Sequence, residues 1–123
     1  MKDKLDNNRP IFLQIKENIE EDIMKGLLKQ DEQIPSTNQL VAFYNVNPVT
    51  VLKGVTMLAD ENIIYKKRGI GMFVSENAFE LLKEKYTSTF LTDYVETMVE
   101  KAMQLGIKKE DLSKLIDKAW KER

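Results

Sequence analysis

Ile34-Pro35-Ser36-Thr37-Asn38-Gln39-Leu40-Val41-Ala42-Phe43-Tyr44-Asn45-Val46-Asn47-Pro48-Val49-Thr50-Val51-Leu52-Lys53 decides the fold of this chain, together with the ribbon at 63–74. Ser36 and Gln39 have the spacing of a capping box, in which a serine and a glutamine three positions on satisfy each other's backbone amides. A short helix follows, with Leu40, Val41, Phe43 and Tyr44 as its apolar contacts, and Asn45-Val46 makes the turn. Asn47 suits an N-cap and Pro48 a first helical turn, where a missing N–H costs nothing. The ribbon places Lys66-Lys67-Arg68-Gly69-Ile70-Gly71 between the β-favouring runs Ile63-Ile64-Tyr65 and Met72-Phe73-Val74, a hairpin pattern. Helix, turn, helix and basic hairpin in that order predict a winged helix-turn-helix. The helix N-terminus can enter a major groove while the ribbon lies along phosphates.

The helix opened by Asn47 is expected to run to about Asp60. Val51, Leu52, Val55, Leu58 and Ala59 fall on one side of it; Val49, Thr50, Lys53, Thr56 and Met57 cluster on another. The first set reads as buried and the second as exposed. Gly54 lies mid-helix at a cost of about 1 kcal/mol relative to alanine. A close packing contact with a neighbouring helix would account for it.

Outward from this stretch, residues 1–8 read as a frayed lead-in, and Pro10 as the first turn of a helix. Ile11, Ile15, Ile19 and Ile23 recur every four residues, widened by Phe12 and Met24, while Gln14, Lys16, Glu17, Glu20 and Glu21 fall elsewhere. This is an amphipathic helix ended by Gly26. Leu27 to Glu32 is a polar connection, and Gln33-Ile34 a short strand. Beyond Ser75 a broad apolar stripe runs from Phe79 to Leu105 and stops at Gly106, and a last helix spans about Lys109 to Lys121. The expected architecture is mainly α with a small β-hairpin: a winged helix-turn-helix over residues 9–75, then a two-helix C-terminal appendage over 76–123.

The composition, 42% apolar and 32% charged over 123 residues, is that of a globular chain. No apolar run approaches the roughly 18 residues of a membrane span. The charged start, Met1-Lys2-Asp3-Lys4-Leu5-Asp6, lacks a following apolar core, so no signal peptide and a cytoplasmic address are expected. With no cysteine and no histidine, disulfides, thiolate or imidazole metal sites and nucleophile–histidine pairs are excluded. No glycine-rich phosphate loop is present either, so neither an enzyme nor a cofactor is expected. The net charge is −1, unevenly spread: −2 over residues 1–32, +2 over 33–75 and −1 over 76–123. The winged segment is the basic part, though only modestly so. Phosphate binding depends on the charge at the interface, and +2 predicts a need for dimerisation.

Three motifs resemble the GntR-type bacterial transcription regulators, in particular their small YtrA-like subfamily. Pro10-Ile11-Phe12-Leu13-Gln14-Ile15 looks like its opening helix, and Ile34-Pro35-Ser36-Thr37 like the approach to its second helix. Val46-Asn47-Pro48-Val49-Thr50-Val51-Leu52-Lys53, with Arg68-Gly69-Ile70-Gly71-Met72-Phe73-Val74, looks like its recognition helix and wing. Residues 9–75 carry the strong part of the likeness; residues 76–121 match by length and pattern. The resemblance implies a DNA-binding regulator, expected to be a homodimeric repressor of an operon that often encodes a transporter. Where the family usually has an arginine contacting DNA this chain has Asn38, and where many members have another arginine it has Pro48, as the YtrA-like branch often does.

The expected DNA-binding residues are Ser36, Thr37 and Asn38 at the start of the second helix, and Asn47, Pro48, Val49, Thr50 and Lys53 on the recognition helix. Lys67, Arg68, Gly69 and Gly71 on the wing complete the set. Ser36, Thr37 and Asn47 have a competing reading as helix caps, Val49 and Thr50 as core residues, Lys53 as a solvated charge, and the basic hairpin as edge protection. Val49 and Thr50 methyl groups can contact thymine methyls. Phe79, Leu82, Tyr86, Phe90, Tyr94, Met98, Leu112, Ile116 and Trp120 are expected at a homodimer interface, because two helices cannot bury such a stripe alone. Packing against the winged domain, or a small ligand between the C-terminal helices, are the alternatives. The expected partner is double-stranded DNA with a palindromic operator, without a membrane and without a metal. The rival reading is a winged-helix module that binds protein.

Overall fold

Isoleucines at 15, 19 and 23 fix the first helix, α1 (Ile11–Met24), and are all buried in the core. The computed structural model describes Met1 and residues 4–123 of the chain; Lys2 and Asp3, part of the expected lead-in, lie outside the described residues. α1 ends in a left-handed turn at Gly26 (φ +78°), where the Leu27 amide donates to the Asp22 carbonyl at 2.8 Å. Helices α2 (Thr37–Tyr44) and α3 (Pro48–Asp60) come next, joined through Asn45, which takes the left-handed conformation that asparagine tolerates. Strands β1 (Ile64–Lys67) and β2 (Gly71–Val74) form an antiparallel hairpin in the register Ile64–Val74, Tyr65–Phe73, Lys66–Met72, Lys67–Gly71. The chain then continues through α4 (Ala78–Phe90), a π-helical turn (Leu91–Val95), α5 (Glu96–Gln104) and α6 (Lys109–Lys121).

Two compact units result, Met1–Glu84 and Lys85–Arg123. The first extends past the boundary expected at residue 75. The reason is that Ala78 and Leu82, in the first turns of α4, are buried with Ile15, Leu40, Val51, Leu58, Ile64 and Val74 in one core. Leu82 is 0% exposed, so its assignment to a dimer surface is corrected: it is a core residue of the winged unit.

The lead-in and the polar side of α1 also depart from expectation. The Gln14 side chain accepts from the Asp6 amide at 2.6 Å and donates to the Arg9 carbonyl at 3.0 Å, so residues 6–9 are tied down on α1. Gln14, Lys16, Asn18, Glu20 and Asp22 are buried. Lys16 Nζ pairs with Glu61 Oε2 at 2.8 Å and lies 3.6 Å from Glu20 Oε2, and Asn18 donates to the Tyr44 hydroxyl at 3.0 Å. Burying such groups is tolerable only because they are paired. They tie α1 to the end of α3 and to α2.

Gly54 marks where α1 and α3 touch. A β-carbon built there falls 2.6 Å from the Phe12 carbonyl oxygen and 3.7 Å from the Lys16 nitrogen, both backbone atoms that cannot swing aside. Helix propensity alone predicts that Gly54→Ala stabilises by about 1 kcal/mol. The contact predicts the opposite sign, a loss of about 1–3 kcal/mol from overpacking, read as a lower urea midpoint. A raised midpoint would mean that the helices do not approach this closely.

In the second unit α5 ends at a left-handed Gly106 (φ +70°), and the Ile107 amide donates to the Ala102 carbonyl at 2.9 Å. Acidic Glu110 and Asp111 stand in the first turn of α6 and Lys118 and Lys121 in its last, complementing the helix dipole. An open groove of about 390 Å³ is lined by Tyr94, Met98, Ala102, Leu105, Ile107 and Leu112, among others. Among the described residues, Ala102 is this unit's buried apolar side chain, while Phe90, Tyr94, Met98, Leu105, Ile116 and Trp120 are exposed.

Candidate nucleic-acid interface

The two caps at the start of α2 and α3 are formed as the sequence predicts. Ser36 Oγ accepts from the Gln39 amide at 3.1 Å, and Gln39 Oε1 accepts from the Ser36 amide at 2.8 Å. Asn47 Oδ1 accepts from the Val49 amide at 2.8 Å. All three side-chain oxygens are thus occupied in holding helix ends. Thr37 is half-buried and Asn38 exposed on the first turn of α2.

Core packing sets the rotation of α3. Val51, Gly54, Val55 and Leu58 are buried, at the 3–4-residue spacing of one helical face. The opposite face is therefore Val49, Leu52, Lys53 and Thr56, all exposed. Thr50 and Met57 sit half-buried on the flanks. This corrects the expected division: Leu52, grouped with the core, is 54% exposed, and Thr50 and Met57, grouped with the exposed set, are half-buried. Lys53 reaches to α1, its Nζ 4.0 Å from the centroid of the Phe12 ring, a cation–π contact.

The hairpin is braced along the β2 edge by the segment before α2. Gln33 pairs with Phe73 as a bridge, and the Ile34 amide donates to the Met72 carbonyl at 2.9 Å. Gln33 Nε2 donates to the Ile70 carbonyl at 3.1 Å. Gly71, at φ +149°, leaves the space that the Gln33 side chain fills. The turn closes with the Ile70 amide donating to the Lys67 carbonyl at 2.9 Å, and Gly69 takes φ +77°, a conformation that glycine adopts without strain. Tyr65 and Phe73 stack across the strands with centroids 5.9 Å apart, and Lys67 Nζ lies 4.4 Å from the Phe73 centroid. The Tyr65 hydroxyl donates to Asp31 Oδ1 at 2.7 Å, and that bond raises the phenol above its ordinary value.

Lys66, Lys67 and Arg68 are exposed. Lys66 and Lys67 belong to β1 and Arg68 to the turn, so the cations run along the ribbon into its tip. Chemically, this unit exposes a helix face of mixed apolar and polar side chains and a cationic ribbon, the helix seated on the core and the ribbon braced by Gln33. Leu52 and the Gln33 brace are the two features the sequence reading missed. The helical spacing of Leu52 from Val49 was the available signal for the first; for the second, the short strand expected at Gln33-Ile34 signals the pairing with β2 but not the side-chain bond to Ile70.

Of the residues expected at a dimer interface, Phe79 and Leu82 belong to the first unit and the remainder to the second. Tyr86, Phe90, Tyr94, Met98, Ile116 and Trp120 are exposed, and Leu112 is half-buried. Among the described residues no helix is long and apolar enough to cross a membrane.

Residues 12–74 match the family model described as "Bacterial regulatory proteins, gntR family". The chain is 32% identical over 110 residues to the HTH-type transcriptional repressor YtrA of Bacillus subtilis (strain 168), covering 89% of this chain and 84% of that protein. Its fold is similar to that of a GntR family transcriptional regulator from Listeria monocytogenes, with a TM-score of 0.76 and 27% identity over 93% of this chain and 98% of that one. The crystal structure of AraR(DBD) in complex with operator ORX1 matches with a TM-score of 0.53 and 29% identity, covering 61% of this chain and 92% of that one.

Proposed function

The chain belongs to the gntR family of bacterial regulatory proteins, and from that membership we propose that it is a homodimeric repressor that binds double-stranded DNA at a palindromic operator. The observation that carries this reading is that one winged unit exposes both the α3 face Val49-Leu52-Lys53-Thr56 and the cations of its hairpin. In the proposed complex α3 lies in the major groove, and Ser36, Thr37 and Asn38 meet the backbone at the start of α2. Lys66, Lys67 and Arg68 lie along neighbouring phosphates, with Gly69 and Gly71 at the tip. The operator complex of the fold neighbour AraR(DBD) supports DNA as the partner. The name of the relative YtrA supports repression. A transporter operon as the target rests on the family resemblance.

Dimerisation is supported by the second unit's exposed apolar surface, which includes Phe90, Tyr94, Leu105 and Trp120. So small a two-helix unit gains little stability from one buried alanine, and a second copy would cover its apolar side chains. Two α3 helices related by a two-fold would read half-sites about one helical turn, or a multiple of it, apart.

Selection of bound duplexes from a random-sequence library tests this. We expect enrichment of an inverted repeat, bound with steep salt dependence. A winged-helix module that binds protein would enrich nothing and show no salt-sensitive retention.

A further inference from the structure

The side chains that α3 turns to solvent in its first two turns are poorly equipped to hydrogen-bond base edges. Pro48 has no N–H, and Asn47 commits its Oδ1 to the Val49 amide. Val49 is 73% exposed and Leu52 54%, and neither side chain has a polar atom. Three residues apart, they are neighbours on the helix surface. The bidentate pairs that read guanine or adenine need arginine, lysine, asparagine or glutamine; on this stretch only Lys53 and the capping Asn47 are of those types. What α3 offers is an apolar contact, with Lys53 exposed next in sequence to Leu52 and the cations of Lys66 and Arg68 on the hairpin of the same unit.

The apolar group that a duplex presents in its major groove is the thymine C5-methyl. On the premise that the chain binds DNA, as proposed for its function, we infer that Val49 and Leu52 are specificity-determining residues that read thymine methyl groups. The preferred half-site then carries thymines where these two side chains face it. The exposed cations of the same unit match a polyanion, which favours this occupant over an apolar peptide.

A duplex selected by the full chain is resynthesised with deoxyuridine at one thymine at a time, which removes the methyl and nothing else. Each thymine facing Val49 or Leu52 should lose affinity about fourfold, the effect of one methyl group withdrawn from apolar contact. Val49→Ala and Leu52→Ala, both at exposed positions, should each bind thymine and uracil duplexes equally at the base faced. Salt-sensitive binding that is indifferent to uracil at every thymine overturns the methyl reading and leaves DNA binding standing. A uracil penalty undiminished in both variants also overturns it. Failure to select or retain any duplex overturns the DNA-binding reading itself, and the methyl reading with it.

Discussion

Leu82→Ala is expected to destabilise the winged unit by about 2–5 kcal/mol, the range for a large aliphatic side chain removed from a close-packed core. Leu82 is fully buried beside Ile15, Leu40, Leu58 and Ala78, and nothing suggests that the site can collapse to fill the space. At fixed protein concentration the melting temperature should fall by about 8 °C or more. Trp120→Ala is expected to act on assembly instead. Its ring is 80% exposed in the second unit, and truncating a tryptophan anchor of an interface costs at least about 2 kcal/mol of association. Both protomers lose the ring, so mass measurement across a dilution series should show the dimer dissociating at a concentration higher by roughly thirtyfold for each tryptophan removed, about a thousandfold in all. Dissociation caused by Leu82→Ala without loss of melting temperature, or an unaltered mass for Trp120→Ala, would reverse these two assignments.

The fold was legible where local chemistry dictates it. Ser36 with Gln39 and Asn47 with Pro48 carry their helix starts in the residues themselves, and both caps are formed. The four-residue recurrence of isoleucine gave α1, and the glycines at 69 and 71 gave the hairpin. The illegible parts depend on distant residues. Nothing in the spacing of Lys16 announces that Glu61, from the end of α3, reaches back to pair with it. Nor can the closing of residues 6–9 over Gln14 be deduced from their composition. The first turns of α4 share one apolar stripe with the helical residues beyond them, so periodicity alone could not say that Ala78 and Leu82 serve a different core from Tyr86 or Phe90.

The interface was legible in type but not in rotation. An apolar leucine beside Val51 reads as core on composition. Gly54 held the missing information: a glycine kept for close approach marks the packed face, and that places Val51, Val55 and Leu58 with it and turns Leu52 outward. Gln33 reads as a short strand and does pair with Phe73, but its side-chain bond to the Ile70 carbonyl could not be assigned from sequence, because it exists only once β2 lies beside it.

The wing carries the second large effect. Lys66→Ala combined with Arg68→Ala removes two exposed cations from a hairpin whose backbone is held by Gln33 and the Tyr65–Phe73 stack, so the change should be electrostatic rather than structural. Each charge-assisted phosphate contact is worth about 1.5 kcal/mol, and losing two should weaken binding by about a hundredfold for each protomer engaged. The loss should be similar on selected and unrelated duplexes, because phosphates carry no sequence. The most direct measurement is fluorescence anisotropy of the selected duplex against salt, with wild-type and doubly substituted protein. Each phosphate contact contributes about 0.9 to the slope of log affinity against log salt. The account predicts a slope shallower by about 2 per protomer in the variant; equal slopes for the two proteins would contradict it.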